Sequence, residues 1–383
     1  MKFRKLSALI LAGALSLSLA ACSSGGTTTS TPPETKPVET QSGGDVTPAS
    51  DLKVGVFYYQ YSDVYITSVR TNLDAKLTEL GVNFNDYDGA NSQPTQTDQI
   101  NTAITDGYNF LIVNIVETAS PEAAQNAVDA AKAKDIPILF FNREVSDDVV
   151  NSYDKCAFVG TNAPEAGHLQ GEMIGKYLLD NWDAVDLNGD GKITYALMKG
   201  QEGNAEAEAR SQFGVEDADA VLTAAGKPAL EYFMGADAAT KYQVDPNGAW
   251  SSQAGFDFMS TNLSSYSDAN GNMIELVICN NDGMAEGVVS ALQSVGYNTG
   301  DGKSIPVFGV DATDSAKALI KAGQMTATVK QDAVGMADTI CALTANVKDG
   351  KDLMDGAADK FNVDSGVAKV RVPYGIYDAS SED

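Results

Sequence analysis

From residue 51 onward the chain alternates short, unbroken apolar runs with stretches of three-and-four spacing. This alternation limits its fold more tightly than any other feature. Val54-Gly-Val-Phe-Tyr58 reads as a strand buried on both faces. Ile66, Val69, Leu73, Leu77 and Leu80 then recur along one helical face, and Gly81 stops that helix. A second strand is predicted over 82–87, a helix over 96–105, and a third strand at Phe110-Leu-Ile-Val113. Ser120-Pro121-Glu122 predicts the next helix start: a cap, then proline, then an acid in the first turn. Ile136-Pro-Ile-Leu-Phe-Phe141 is the following strand, and further strands are predicted over 193–198, 230–234, 274–279, 305–310 and 325–329. Strands that are apolar throughout, each followed by a helix, make a parallel sheet covered on both faces. Residues 136–142 and 305–311 read as one strand in two copies. The expectation is an α/β protein of two similar domains.

The first residues read as a targeting segment. Lys2, Arg4 and Lys5 precede an apolar stretch that closes on Leu19-Ala-Ala-Cys22, the pattern of a bacterial lipobox. Residues 1–21 are expected to be a lipoprotein signal peptide, with Cys22 lipidated and anchored by its buried methylenes. Residues 22–50, rich in Ser, Thr, Pro and Gly, have too few large apolar residues to fold and are expected to act as a tether. The remaining length, about 330 residues, suffices for two domain cores. The chain carries 26 Lys and Arg against 52 Asp and Glu, a formal net charge of −26, and loss of the basic leader makes the rest more acidic still. That balance argues against nucleic acid and against binding of the folded surface to anionic lipid. Cys156, Cys279 and Cys341 are odd in number and widely spaced, which suits neither a disulfide framework nor a CxxC metal site.

Polar residues stand at the ends of the apolar runs. Asp63 follows the first strand, Asn142 and Asp311 end the paired strands, Asn281 follows Cys279, and Gln331 follows Val329. Open α/β sheets bind ligands past the carboxyl ends of their strands. Two such crests facing each other would make a cleft lined by amides and carboxylates.

Asp186-Leu-Asn-Gly-Asp-Gly-Lys-Ile-Thr194 reads as a calcium loop. Asp186, Asn188 and Asp190 occupy positions one, three and five, Gly191 makes the turn, Lys192 offers its carbonyl at seven, and Thr194 stands at nine. The twelfth position, which needs a bidentate Glu, is Leu197 inside a strand. A bound ion would need a carboxylate from elsewhere.

Phe140-Phe-Asn-Arg-Glu144, Ser152-Tyr-Asp-Lys155, the 186–194 loop with Lys199-Gly200 after it, Ala205-Glu-Ala-Glu-Ala-Arg210, Asn280-Asn-Asp282, residues 305–312 and Val370-Arg-Val-Pro-Tyr374 together resemble the galactose/glucose-binding proteins. These are sugar-binding receptors of ABC transporters with the periplasmic binding protein type I fold. The resemblance covers nearly all of 51–377. It implies two similar Rossmann-like lobes with parallel sheets, hinged by three crossings. The N-terminal lobe would span 51–160 plus about 331–365, and the C-terminal lobe 161–330 plus about 366–383. It also implies one monosaccharide held between the lobes by Asp63, Asn142, Arg210, Asn281 and Asp311, with Trp250 and Tyr65 on its two faces. Asn204, Glu206 and Gln331 stand where the family has His, Asp and Asn, so hydrogen-bonding reach differs from the family pattern. Glu275 is the implied distant calcium ligand, and Thr194 replaces the family's Gln.

The expected function is a non-enzymatic lipoprotein receptor outside the cytoplasm, on the periplasmic side where an outer membrane exists. It would be a monomer that captures a galactose- or glucose-like sugar and delivers it to an ABC permease, with Ca²⁺ as a structural ion. A sensor subunit for a chemoreceptor or receptor kinase is the alternative, since fold alone does not separate transport from signalling. A glycosidase has plentiful carboxylates in its favour. Against it, no GxSxG or P-loop motif occurs, and the sole histidine, His168, has no catalytic partner in its motif.

Overall fold

The computed structural model describes residues 52–300 and 302–382; the leader, Cys22 and the 22–50 tether lie outside the described residues. The first lobe runs β1 (Lys53–Tyr58), α1 (Val64–Leu80), β2 (Asn83–Asp88), α2 (Gln93–Thr105), β3 (Phe110–Val113), α3 (Glu122–Lys132), β4 (Ile138–Phe141), α4 (Asp147–Asn151) and β5 (Cys156–Gly160). The second runs α5 (Ala163–Val185), β6 (Thr194–Lys199), α6 (Ala205–Ala224), β7 (Glu231–Tyr232), β8 (Gln243–Val244), α7 (Ser252–Leu263), β9 (Leu276–Cys279), α8 (Asp282–Ser294), β10 (Val307–Asp311), α9 (Asp314–Lys321) and β11 (Ala327–Gln331). The chain then forms α10 (Ala333–Lys348), β12 (Asn362–Val363), β13 (Lys369–Arg371) and β14 (Tyr374–Asp378).

Two sheets result, in the orders β12-β13-β5-β4-β3-β1-β2 and β14-β11-β10-β9-β6-β7, with β8 also pairing β6. All pairs are parallel except the edge pairs β12–β13 and β11–β14. Strands β3, β4, β5, β9 and β10 are buried along their whole length, as continuous apolar runs require. Phe57, Phe110, Phe140 and Phe158 are fully buried in the first lobe, each stabilising it by roughly 1.5–3 kcal/mol.

The chain passes between the lobes after β5, after β11 and between β13 and β14. Two boundaries differ from expectation. Gln331 ends β11 and belongs to the second sheet, and Lys369–Arg371 pairs with β5, so the final return to the second lobe falls after Arg371 and not near 366. Strand β13, between β12 and β5, is only three residues long, too short to show a period of two. The predicted strand at 230–234 shrinks to Glu231–Tyr232 for a related reason: it is a short flank of β6. Helix α3 begins at Glu122 with Pro121 at its cap position, while Ser120 accepts a bond from the Glu122 N–H at 3.3 Å.

Helix α6 starts beside the cleft and packs closely on α5. A Cβ on Gly167 or Gly171 of α5 would stand 2.5 Å from the carbonyl oxygen of Ala209 or Phe213. The missing side chains therefore let the two backbones approach, which holds the first turn of α6 against the second lobe.

Candidate functional site

All ten residues expected to contact a sugar line one cavity between the lobes. The fold places most of them there by one rule: they stand at the carboxyl end of a strand or at the start of the helix after it, at the end where the lobes meet, while Arg210 lies one turn into α6 and Trp250 just before the α7 cap. Asp63 caps α1, accepting from the Ile66 N–H at 2.8 Å, and its other oxygen accepts the Tyr59 hydroxyl at 2.6 Å. Tyr65 lies in the first turn of α1. Asn142 follows β4 in a left-handed conformation, φ 64°, and accepts a bond from the Asn114 amide at 3.2 Å. Asn204 caps α6, Glu206 lies in its first turn, and Arg210 comes one turn later. Asn281 caps α8, accepting from the Met284 N–H at 3.0 Å and donating to the Trp250 carbonyl at 3.1 Å. Asp311 ends β10 and Gln331 ends β11.

Several buried polar atoms on these lining residues have no hydrogen-bond partner among the described residues: the Tyr65 hydroxyl, Nε and Nη1 of Arg143, Oε2 of Glu206, Nε of Arg210 and Nε2 of Gln331. A buried polar group without a hydrogen bond costs about 1–3 kcal/mol. Elsewhere Arg210 is well held, donating to the Asn280 carbonyl at 2.8 Å, the Tyr374 hydroxyl at 3.0 Å and Gln331 at 3.2 Å. Burial pushes the Asp311 carboxyl well above the usual range, and Arg210 offsets part of that rise. Burial, then Glu144, raises Glu206, with Arg210 and Arg143 pulling the other way. The site thus combines two guanidinium groups, three carboxyls and several amides around one indole and two phenols. It can grip a neutral, polyhydroxylated ligand by directed hydrogen bonds and cover its apolar C–H faces.

Tyr59, Ile66 and Arg143 also line the cavity and were not anticipated. Arg143 is the signal that could have been read, since it follows Asn142 directly past β4. Its guanidinium lies 4.2 Å from the centroid of the Tyr59 ring and bonds Gln201 across the cleft. Other bonds also join the lobes. Gln60 donates to the Ala249 carbonyl at 3.0 Å, Asn91 to the Asn247 carbonyl at 2.8 Å, and the Glu144 N–H to Glu206 at 3.3 Å. The lobes are closed on each other. A larger groove of about 930 Å³ on the second lobe, between α5 and β14, contains none of these residues and no unpartnered buried polar atom among the described residues.

The 186–194 loop lies apart from the cavity. Glu275 is fully buried, and its two oxygens accept the N–H groups of Leu187 at 2.8 Å and Thr194 at 3.0 Å. Asp190 accepts from the Lys192 N–H, Asp186 from the Gly191 N–H, and the Thr194 hydroxyl donates to the Met273 carbonyl at 2.6 Å. Among the described residues no three acidic, His or Cys side chains converge as a metal cluster. The donor chemistry nonetheless fits a hard, oxygen-seeking cation. Glu275 is a buried carboxylate with no ion-pair partner, and the Lys192 ammonium is drawn off to Glu231 at 2.6 Å. Burial raises the Glu275 carboxyl, against the backbone bonds that lower it. His168 has a partner after all, Asp217 at 2.6 Å, but the pair bridges α5 and α6 outside the cavity and its ring lies on Phe213.

Comparisons with known proteins agree with this geometry. The family profile described as a periplasmic binding protein domain matches residues 54–352. The D-galactose/methyl-galactoside binding periplasmic protein of Haemophilus influenzae is 33% identical over 327 residues, covering 85% of this chain and 89% of that protein. A putative rhizopine-binding protein of Rhizobium meliloti is 30% identical, covering 74% and 80%. A solved ABC transporter solute binding protein from Bacillus halodurans, with bound myo-inositol, superposes with a TM-score of 0.65 at 24% identity, covering 87% of this chain and 96% of that one. That structure supports the fold of two α/β lobes.

Proposed function

The chain belongs to the periplasmic binding protein domain family, and from that premise we propose that it is a solute-binding receptor that captures one monosaccharide between its lobes and presents it to an ABC permease. The observation that carries this reading is the set of buried, unpartnered polar atoms on Arg143, Glu206, Arg210 and Gln331, residues that all line one interlobe cavity. Hydroxyl groups both donate and accept, so a ring of them can satisfy guanidinium and carboxyl groups together. A ligand that touches both lobes favours closure by its differential contacts, and the closed form is what a permease would engage.

The galactose-binding relative supports a hexose as ligand. Asn204, Glu206 and Gln331 alter the reach of three contacts, so the set of accepted sugars differs from that of relatives with the family's pattern. Calcium would be held by Asp186, Asn188, Asp190, the Lys192 carbonyl, Thr194 and Glu275. It would supply positive charge to a buried carboxylate and tie the loop to β9. Cys22 would anchor the protein outside the cytoplasm, and no described helix is long and apolar enough to cross a membrane. The protein would bind without catalysis.

Thermal unfolding across a panel of D-galactose, D-glucose, D-allose, D-ribose, L-arabinose and myo-inositol tests the assignment. At least one should raise Tm by several degrees, since ligand at a hundred times Kd adds about 2.7 kcal/mol. No shift with any of them would overturn it. Turnover of a nitrophenyl glycoside would overturn the non-catalytic reading.

A further inference from the structure

Gly200 lies at the end of β6, buried against the Trp250 side chain. A Cβ built there would stand 2.1 Å from Cδ2, 2.2 Å from Cε3 and 2.6 Å from Cε2 of the indole. The backbone of Gly200 does not require glycine, because its φ is not in the left-handed region. What requires glycine is the ring. The closest atoms all belong to the benzo half of the indole, which rests directly on the Gly200 backbone.

Neither side of this contact can give way easily. The Gly200 N–H donates to Asn280 Oδ1 at 3.1 Å, and the Asn280 carbonyl in turn receives Arg210 at 2.8 Å. Trp250 has φ 56°, a left-handed conformation costly for a bulky residue. Three bonds hold it there. Asn281 donates to its carbonyl, Gln60 of the opposite lobe donates to the Ala249 carbonyl before it, and the Ser251 N–H after it donates to Asp245 at 3.0 Å. With the backbone clamped and β6 behind it, the ring has one free direction, toward the cavity.

We propose that Gly200 is a positioning residue for ligand recognition: its missing side chain sets the depth at which the Trp250 ring stands, and so the thickness of ligand the cavity accepts. The proposal rests on the monosaccharide reading above. Carbon atoms in contact sit about 3.5–4.0 Å apart, so an alanine at 200 would drive the ring roughly 1.5 Å into the cavity. The guanidinium of Arg210 stands 5.7 Å from the Trp250 centroid and lines the same cavity. A displacement of that size takes up space that a sugar ring would fill. Overpacking of this kind costs about 10–100-fold in an equilibrium constant.

The test is a double-mutant cycle on sugar affinity, measured by titration calorimetry with D-galactose, or with whichever panel sugar the wild type binds, alongside thermal unfolding of each variant. Gly200→Ala should weaken binding about 10–100-fold. Trp250→Ala, which removes the colliding ring together with its stacking area, should weaken it several-fold or more. The combination Gly200→Ala/Trp250→Ala should bind as Trp250→Ala alone does, because the added methyl then meets no ring. A role in folding alone would lower Tm in both Gly200→Ala variants without that rescue. If Gly200→Ala does not fold, the pair in the Trp250→Ala background decides: equal affinity supports the proposal and a further large loss overturns it. Wild-type affinity in Gly200→Ala, or strictly additive losses in the double variant, also overturns it. A wild type that binds none of the panel sugars instead refutes the receptor reading on which the proposal stands.

Discussion

Glu275→Gln separates the hydrogen-bonding role of a buried carboxylate from its proposed role as a calcium ligand. Glu275 is fully buried, and one short backbone bond falls on each oxygen, from Leu187 and from Thr194. Glutamine keeps one acceptor and turns an NH₂ group toward the other N–H. One buried amide is left unsatisfied, a cost of about 1–3 kcal/mol. In chelator the variant should therefore melt roughly 2–6 °C below wild type. Calcium at a hundred times its Kd adds about 2.7 kcal/mol to the wild type by mass action, and most of that gain should be missing from the variant. The gap between the two proteins should widen to about 5 kcal/mol when calcium is added. Thermal unfolding of both proteins, with EGTA and with excess calcium, reads all four values. A variant as stable as wild type in EGTA would refute the hydrogen-bond reasoning. A wild type whose Tm ignores calcium would refute the metal reading and leave the loop as a turn. Sugar affinity should change less than about threefold in this variant, because the loop lies outside the cavity lining.

Further outcomes concern the cavity and a carboxyl pair beneath α1. Arg143→Met removes two unpartnered donors and the bond to Gln201; calorimetry should show sugar binding weakened about 10–100-fold, as for loss of charged hydrogen bonds. Burial, then the neighbouring Asp74, pushes the Asp86 carboxyl up to about 7, with Arg70 opposing. The native state thus holds this proton more tightly than the unfolded chain. Its stabilising effect is whole below about pH 4 and is lost as pH rises through 7. Asp86→Asn should accordingly leave Tm unchanged at pH 4 and raise it at pH 8 by about 2 °C, a shift near 1 kcal/mol once partial exposure is allowed for. An equal shift at both pH values would contradict the pairing.

Much of this architecture is legible because continuous apolar strands leave few alternatives. The runs at 54–58, 110–113 and 274–279 are too short and too apolar for surface helices, and they fall inside the two sheets as β1, β3 and β9. The polar crest is legible for the same reason, since a polar residue ending such a run must face the mouth of the sheet. Arg143 and Tyr59 escaped because each acts through a partner far away in sequence, Gln201 in one case and the Arg143 guanidinium in the other. The third crossing falls after Arg371 and not near 366 because β13 is only three residues long and its pairing with β5 is a tertiary fact with no local period. The surroundings of Thr194 are not legible locally either: its hydroxyl donates to Met273 and its N–H to Glu275, residues some eighty positions away.

Titration calorimetry of wild type and Asp311→Ala against the sugar panel tests the central claim most directly. Asp311 is buried at the end of β10, lines the cavity and faces the charge of Arg210. The wild type should bind at least one sugar with one site and a Kd on the order of 1 µM or tighter. Asp311→Ala should lose at least a hundredfold of that affinity. Saturable heat with one sugar that disappears in the variant is the expected result. Absence of binding in the wild type, or equal binding by the two proteins, would contradict a sugar site between the lobes.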